Sequence, residues 1–252
     1  MNSCSIKAGG RYGQYQFINT CVLDSLLVGL CNCHNKNPKF RELFQTDRTL
    51  KAIMIFLNAN KFNEARYLWL IYLNLLNPNC RFNISEIIDF WSEVEDHLPV
   101  FINLVCSKDH FSGEDGVHGM DDILHQSIKS AFQPYGNIMP LGMTYKEPRV
   151  ILVSKDNGLD TAPPIYVTDT YGRTFKLQFL LVKQKVHEQH MVVCCNMEDR
   201  WVLYDNNPDV PPEEVNYNED FKNDYPVYLA CYLNVPQPGH SYGMLILYVA
   251  DE

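Results

Sequence analysis

The chain contains no apolar run long enough to cross a bilayer. The longest, Tyr67 to Leu76, is broken by Asn74 and reaches about half the length a spanning helix needs. Met1 to Tyr15 is polar and Gly-rich, with no apolar centre of signal-peptide size, so a secretory leader has no visible support. Basic charge is also short. Against 30 Asp and Glu there are 21 Lys and Arg, a formal net charge of -9, and a phosphate-backbone binder needs clustered cations to displace counterions. A nucleic acid partner and a membrane partner are therefore not expected. The acidic balance suits a basic protein or basic tail, or simply solubility. No C-x-x-C pair occurs, so structural zinc is not expected and no metal or other cofactor is required. The nine cysteines are odd in number and scattered rather than regularly spaced, which fits a reducing compartment, cytoplasmic or nuclear, better than a disulfide scaffold. Arrival in a cell by a route the sequence does not show is the other reading. There is no internal repeat and no low-complexity tract.

What is present is a chain of 252 residues, 46% hydrophobic and 12% aromatic, enough to bury a core without covalent staples. One domain, 1–252, with two lobes is the expectation. Val22, Leu26, Leu27 and Leu30 lie on one face of a helix that starts at Cys21 and stops near Asn35 to Pro38. Further helices are expected at Arg48 to Leu57, Phe62 to Leu76, Ser85 to His97 and Met120 to Phe132. From about Tyr145 the pattern changes. Phe175, Leu177, Phe179 and Leu181 alternate with polar Thr174, Lys176 and Gln178, the period of a strand with one buried face. Arg149 to Ser154, Gln189 to Asn196, Arg200 to Asn206, Tyr225 to Val235 and Tyr242 to Val249 are further strands. A helical lobe over about 16–138 and an antiparallel β lobe over about 139–252 make an α+β protein, and a site using both lobes would occupy the cleft between them.

Cys21 sits where a polar segment meets the first apolar helix. There the positive end of the helix dipole and unpaired amides favour thiolate. The competing reading is a buried structural cysteine. The second half of the chain decides between them. A hairpin with its turn at Met197 to Asp199, centred near residue 198, sets His190 opposite Asp205 or Asn206. That is a general base with an orienting partner on rigid strands, the unit a nucleophilic cysteine requires. Asp205 is the preferred partner and Asn206 the reserve; a strand histidine satisfied by a backbone carbonyl is the alternative for His190. Cys31, Cys33 and His34 form a C-x-C-H cluster, but residues two apart on a helix point in different directions and no second pair is evident. Cys194 and Cys195, adjacent in a strand, face opposite sides and read as buried spectators. His187 is the one histidine close enough in sequence to compete with His190.

Asn19-Thr20-Cys21-Val22-Leu23-Asp24-Ser25-Leu26-Leu27 resembles the G-N-T-C-Y-M-N-S-L-L box of the ubiquitin-specific proteases, and Gln189-His190-Met191-Val192-Val193 resembles their G-H-Y-V/T-x-Y box. Trp201-Val202-Leu203-Tyr204-Asp205-Asn206 is similar to the family's W-Y-x-F-D-D/N segment. Phe175 to Val182 and Tyr242 to Tyr248 resemble two of its strands, and Gly116 to Leu124 is a looser match to its Q-D-A-H-E-F-L helix. The matches run in order from residue 16 to residue 248. The resemblance implies a papain-like fold and a thiol-dependent deubiquitinase that cleaves the peptide or isopeptide bond after the C-terminal glycine of ubiquitin. In that reading Cys21 is the nucleophile, His190 the base, and Asp205 its orienter. The family's oxyanion residue stands five positions before the nucleophile, which is Gln16 here, with Gln14 and Asn19 as rivals. The family's zinc-bearing fingers have no counterpart. A protease for another modifier such as SUMO, or an inactive ubiquitin-binding module, are the alternatives.

Overall fold

The computed structural model describes residues 5–76, 86–106, 126–143, 148–159, 161–185, 187–198, 200–218 and 221–236. A short antiparallel pair, β1 (Gly10–Tyr12) and β2 (Tyr15–Ile18), leads into α1 (Cys21–Lys36). Asn19 makes the corner with φ of 53°, a left-handed conformation that asparagine tolerates better than most residues. α1 ends at Asn37, whose extended backbone stops the helix. The same side chain accepts hydrogen bonds from the N–H groups of Lys39 and Phe40 and so starts α2 (Pro38–Phe44), with proline at the first helical position. The Asn-Pro pair read from the sequence as a stop is thus also a start. α3 (Arg48–Asn58), capped by Asp47, matches its expected limits to within a residue, whereas α4 (Phe62–Tyr72) stops short of the expected Leu76, with Asn74 just beyond it at φ 57°.

The segment expected as a helix from Ser85 to His97 is different. Glu86–Asp89 is a strand, β3, lying parallel to β2, with Gln16 opposite Ile87. A 3₁₀ segment, Val94–Leu104, follows and contains Pro99. An apolar run as short as Ile87-Ile88 carries no usable helical period, and its pairing with β2 is supplied from about 70 residues away. Of the helix expected at Met120 to Phe132, residues 126–132 (α5) are helical and the rest lie outside the described residues, as does the proposed strand at Tyr242 to Val249.

The remainder is one antiparallel sheet. Its strands are β4 (Asn137–Leu141), β5 (Val150–Ser154), β6 (Tyr166–Thr168), β7 (Thr174–Gln184), β8 (His187–Met197), β9 (Arg200–Tyr204), β10 (Glu213–Val215) and β11 (Val227–Val235). The order is β10-β9-β8-β7-β11-β5-β4, with β6 also against β7. A short helix, α6 (Phe221–Asp224), precedes β11. This mixture of a helical layer and an antiparallel sheet is of the α+β class. Both sheet faces are buried. Leu152, Phe179, Leu181, Met191, Val193, Cys195 and Cys231 join the core shared with α1–α4. Ile151, Val153, Phe175, Leu177, Leu180, Val182, Val192 and Cys194 join a second core with Phe132 of α5 and Phe221.

The expectation that Phe175, Leu177, Phe179 and Leu181 share a face fails at Gln178. The register with β11 shifts between Leu177 and Phe179, and the irregularity sends Phe179 and Leu181 to the helical side. Phe179 then meets α1 at Gly29, where an added Cβ would lie 2.6 Å from the ring. Among the described residues, no helix is long and apolar enough to cross a membrane.

Candidate active site

The N-terminus of α1 stands against β8. Ser25 Oγ donates to the Met191 carbonyl at 3.0 Å, and Asn32 Nδ2 reaches Cys195 Sγ at 3.7 Å. Cys21, the first residue of α1, therefore faces the start of β8 where His190 is found. Among the described cysteines Cys21 is partly exposed, whereas Cys31, Cys33, Cys106, Cys194, Cys195 and Cys231 are buried. Burial raises its pKa, but a hydrogen bond with His190, the N–H groups of Met191 and Val22 and the histidine charge outweigh this, and the thiol is held below its ordinary value.

His190 is pushed up to about 9. The hydrogen bond with Cys21 is the largest cause; desolvation opposes it, and the bond to Asp205 and the carboxylate charge add to it. His190 Nε2 lies 2.7 Å from Asp205 Oδ1, so the ring's other nitrogen, Nδ1, is the one left for the thiol. Asp205 Oδ1 also accepts the Asn207 N–H at 2.8 Å.

The hairpin that makes this contact differs from the expected one. Val193 pairs with Tyr204 and Met197 with Arg200, which leaves a two-residue connection beginning at Glu198. Met197 belongs to the strand rather than the turn, so every pair is displaced, and the register carried one step further sets Asp205 against Val192 rather than His190. His190 reaches the acid because the β7–β8 ladder jumps from Lys183↔Met191 to Gln184↔His187. The three residues 188–190 form a bulge, and strict alternation, which would keep His190 on the side of Val192 and Cys194, is broken at that point.

Asn206, the reserve partner for His190, is turned away from it. Its Nδ2 donates to Asp24 Oδ2 at 3.0 Å. Gln16 is exposed on β2, paired across the strands with Arg11 and Ile87. A cavity of about 220 Å³ opens beside Cys21, lined by Asn19, Val22, Trp91, Ser92, Glu93, Lys183 and Met191. Gln16 is not among these residues; Asn19 is, its Nδ2 donating to Asp89 Oδ1 at 2.9 Å. The sequence reading missed Trp91, Ser92, Glu93 and Lys183. Their arrival depends on the β2–β3 pairing and on the packing behind the loop. His97 is buried, accepts from Trp69 Nε1 at 3.1 Å and faces Ser92 Oγ at 2.9 Å. The indole N–H fixes His97 Nδ1 as acceptor, which leaves Nε2–H to hold Ser92. Desolvation takes His97 down to about 4, so it stays neutral near pH 7. Lys183 Nζ is 3.7 Å from Glu93 and 4.3 Å from the centre of the Tyr228 ring. Cys31, Cys33 and His34 are buried within α1.

No protein-family model matches the chain, and no curated protein matches it. Among solved structures, the Ubp8/Sgf11/Sus1/Sgf73 DUB module of SAGA is similar at 12% identity and a TM-score of 0.40, over 93% of this chain and 69% of that one. Another structure of the Ubp8-Sgf11-Sgf73-Sus1 module gives 13% identity and a TM-score of 0.36, over 93% and 68%.

Proposed function

We propose that the protein is a cysteine peptidase of papain-like fold, formed as a single catalytic domain, that hydrolyses the bond after the C-terminal glycine of ubiquitin. The observation that carries this reading is a partly exposed thiol at a helix N-terminus, held below its ordinary pKa by a neighbouring histidine whose Nε2 lies 2.7 Å from a carboxylate. The two boxes around Cys21 and His190 supply the substrate class. In the resting site His190 takes the Cys21 proton, giving a thiolate–imidazolium pair that Asp205 stabilises. The thiolate attacks the glycine carbonyl. His190 returns the proton to the leaving amine and then activates the water that releases the carboxylate. The oxyanion donor, expected at Gln16, is assigned to Asn19, whose amide lines the cavity and keeps one N–H beyond the bond to Asp89. No step needs a cofactor.

The test is capture by ubiquitin ended in propargylamide, with SUMO and other modifiers ended in the same way, on wild type and Cys21→Ala. A mass shift with ubiquitin on wild type alone supports the reading. Capture of another modifier alone keeps the chemistry and changes the substrate, while binding without capture leaves a ubiquitin-binding module.

A further inference from the structure

The residues on either side of the reacting groups meet at one buried carboxylate. Asp24, in the first turn of α1, is fully buried. Its Oδ2 accepts from Thr20 Oγ1 at 2.6 Å and from Asn206 Nδ2 at 3.0 Å, and its Oδ1 accepts from Arg66 Nε at 2.7 Å. Thr20 immediately precedes Cys21, and Asn206 immediately follows Asp205. Arg66, 1% exposed on α4, spends its remaining donors on the chain before β1 and on its own helix. Nη1 bonds the Gly9 carbonyl at 2.5 Å and Asn63 Oδ1 at 2.6 Å, and Nη2 bonds the Lys7 carbonyl. That segment closes the circuit. The Gly9 N–H donates to Thr20 Oγ1 at 2.8 Å, and the Ala8 N–H to the Asn206 carbonyl at 2.7 Å.

A carboxylate taken out of water costs free energy; burial pushes the Asp24 carboxyl up, and Arg66, Thr20 and Asn206 pull it back in part. A helix needs none of this to form. Thr20 makes no side-chain bond to the free amides of α1, the ordinary use of a threonine at that position; its hydroxyl goes to Asp24 instead. Asn206 likewise leaves His190 to Asp205.

We propose that Asp24, neutralised by Arg66, is a positioning residue that sets the spacing between Cys21 and the His190–Asp205 pair by gripping Thr20 and Asn206 together. The inference rests on the Cys21–His190–Asp205 site proposed above. It accounts for a buried ion pair beside a site to which it contributes no reacting atom. Loss of either grip lets the end of β9 move relative to α1, and the imidazolium that holds the Cys21 thiolate loses its alignment.

The experiment is the pH dependence of Cys21 alkylation by iodoacetamide, followed by peptide mapping on the full chain, so that no modifier substrate is involved. Wild type, Asn206→Ala, Thr20→Val and Thr20→Ser are compared after circular dichroism and a melting curve establish that each is folded. The expected result is an inflection raised by about one unit in Asn206→Ala and Thr20→Val, or roughly tenfold slower alkylation at pH 7. Thr20→Ser, which restores the hydroxyl, returns the profile toward wild type. Folded Asn206→Ala and Thr20→Val proteins with wild-type profiles would overturn the proposal, including the case in which only their melting temperatures fall. Should Asn206→Ala not fold, the Thr20 pair decides by the same criterion. Failure of ubiquitin capture with a shifted profile removes the substrate reading and leaves the positioning role intact; an ordinary thiol inflection in wild type would remove both.

Discussion

His190 Nε2 and Asp205 Oδ1 are 2.7 Å apart, although the β8–β9 register, carried one step past Val193↔Tyr204, would set Asp205 against Val192. The bulge at 188–190 supplies the missing displacement, so the contact is made by a deviation from the sheet rather than by the sheet itself.

In the proposed mechanism the imidazolium requires the carboxylate's charge. Asp205→Asn keeps an acceptor oxygen but removes the charge and permits the wrong histidine tautomer. Turnover of a fluorogenic ubiquitin amide is expected to fall roughly 10²- to 10⁴-fold, with KM little changed. A loss under tenfold would remove Asp205 from the mechanism.

The pH profile follows from the two shifts. Cys21 is lowered and His190 raised to about 9, the directions that favour the proposed thiolate–imidazolium pair near neutral pH. Activity is expected to decline as pH rises through about 9 and the imidazolium loses its proton. Stability carries the same sign. A histidine whose folded pKa is raised stabilises fully below its unfolded value, near 6.5, and that contribution disappears as pH rises through about 9. Melting temperatures at pH 7 and pH 9.5 are therefore expected to differ more in wild type than in His190→Gln.

Asn19 and Gln16 are separable. Asn19→Gly keeps the left-handed backbone at φ 53° and deletes the amide, and it is expected to lower kcat by about 10²-fold, the scale of one oxyanion donor. Gln16→Ala, on the exposed side of β2, is expected to change kcat by less than about threefold, well under that scale. The reverse ordering would restore the role to Gln16.

Gly29→Ala places a methyl 2.6 Å from the Phe179 ring. Alanine's better helix propensity offsets part of the overpacking, and a net destabilisation of about 1–2 kcal/mol is expected in urea titration. Unchanged stability would show that α1 can back away from β7 without penalty.

Glu198 opens the β8–β9 turn at φ 58°, a conformation glycine enters without the steric cost a side chain brings. Glu198→Gly is expected to raise stability by roughly 0.5–1 kcal/mol and to leave alkylation of Cys21 as in wild type. A fall in stability would mean that the glutamate makes a contact worth more than the strain.

Much of the site was legible because its signals are local. The helix beginning at Cys21 follows from a 3.6-residue apolar period behind a polar segment, and the hairpin follows from two apolar runs around a polar pair. What was hidden is non-local. The parallel pairing of β2 with β3 brings Trp91 to Glu93 beside Cys21, and nothing in Glu86 to Asp89 announces a partner so far back in the chain. One residue more in strand than expected, Met197, displaced the hairpin. The shift in β7 at Gln178 was invisible because its neighbours are apolar toward both sides.

A strand with one oily and one wet side punishes a one-residue slip by exposing its oily side, and the error corrects itself. β7 and β8 are greasy toward both sides, so a slipped copy could look almost as well packed as the native one. Discrimination then falls to the few polar pegs that fit a single notch, Ser25 into the Met191 carbonyl and Asn32 toward Cys195. A chain lacking them could fold into a body of nearly normal solidity whose histidine simply misses its thiol.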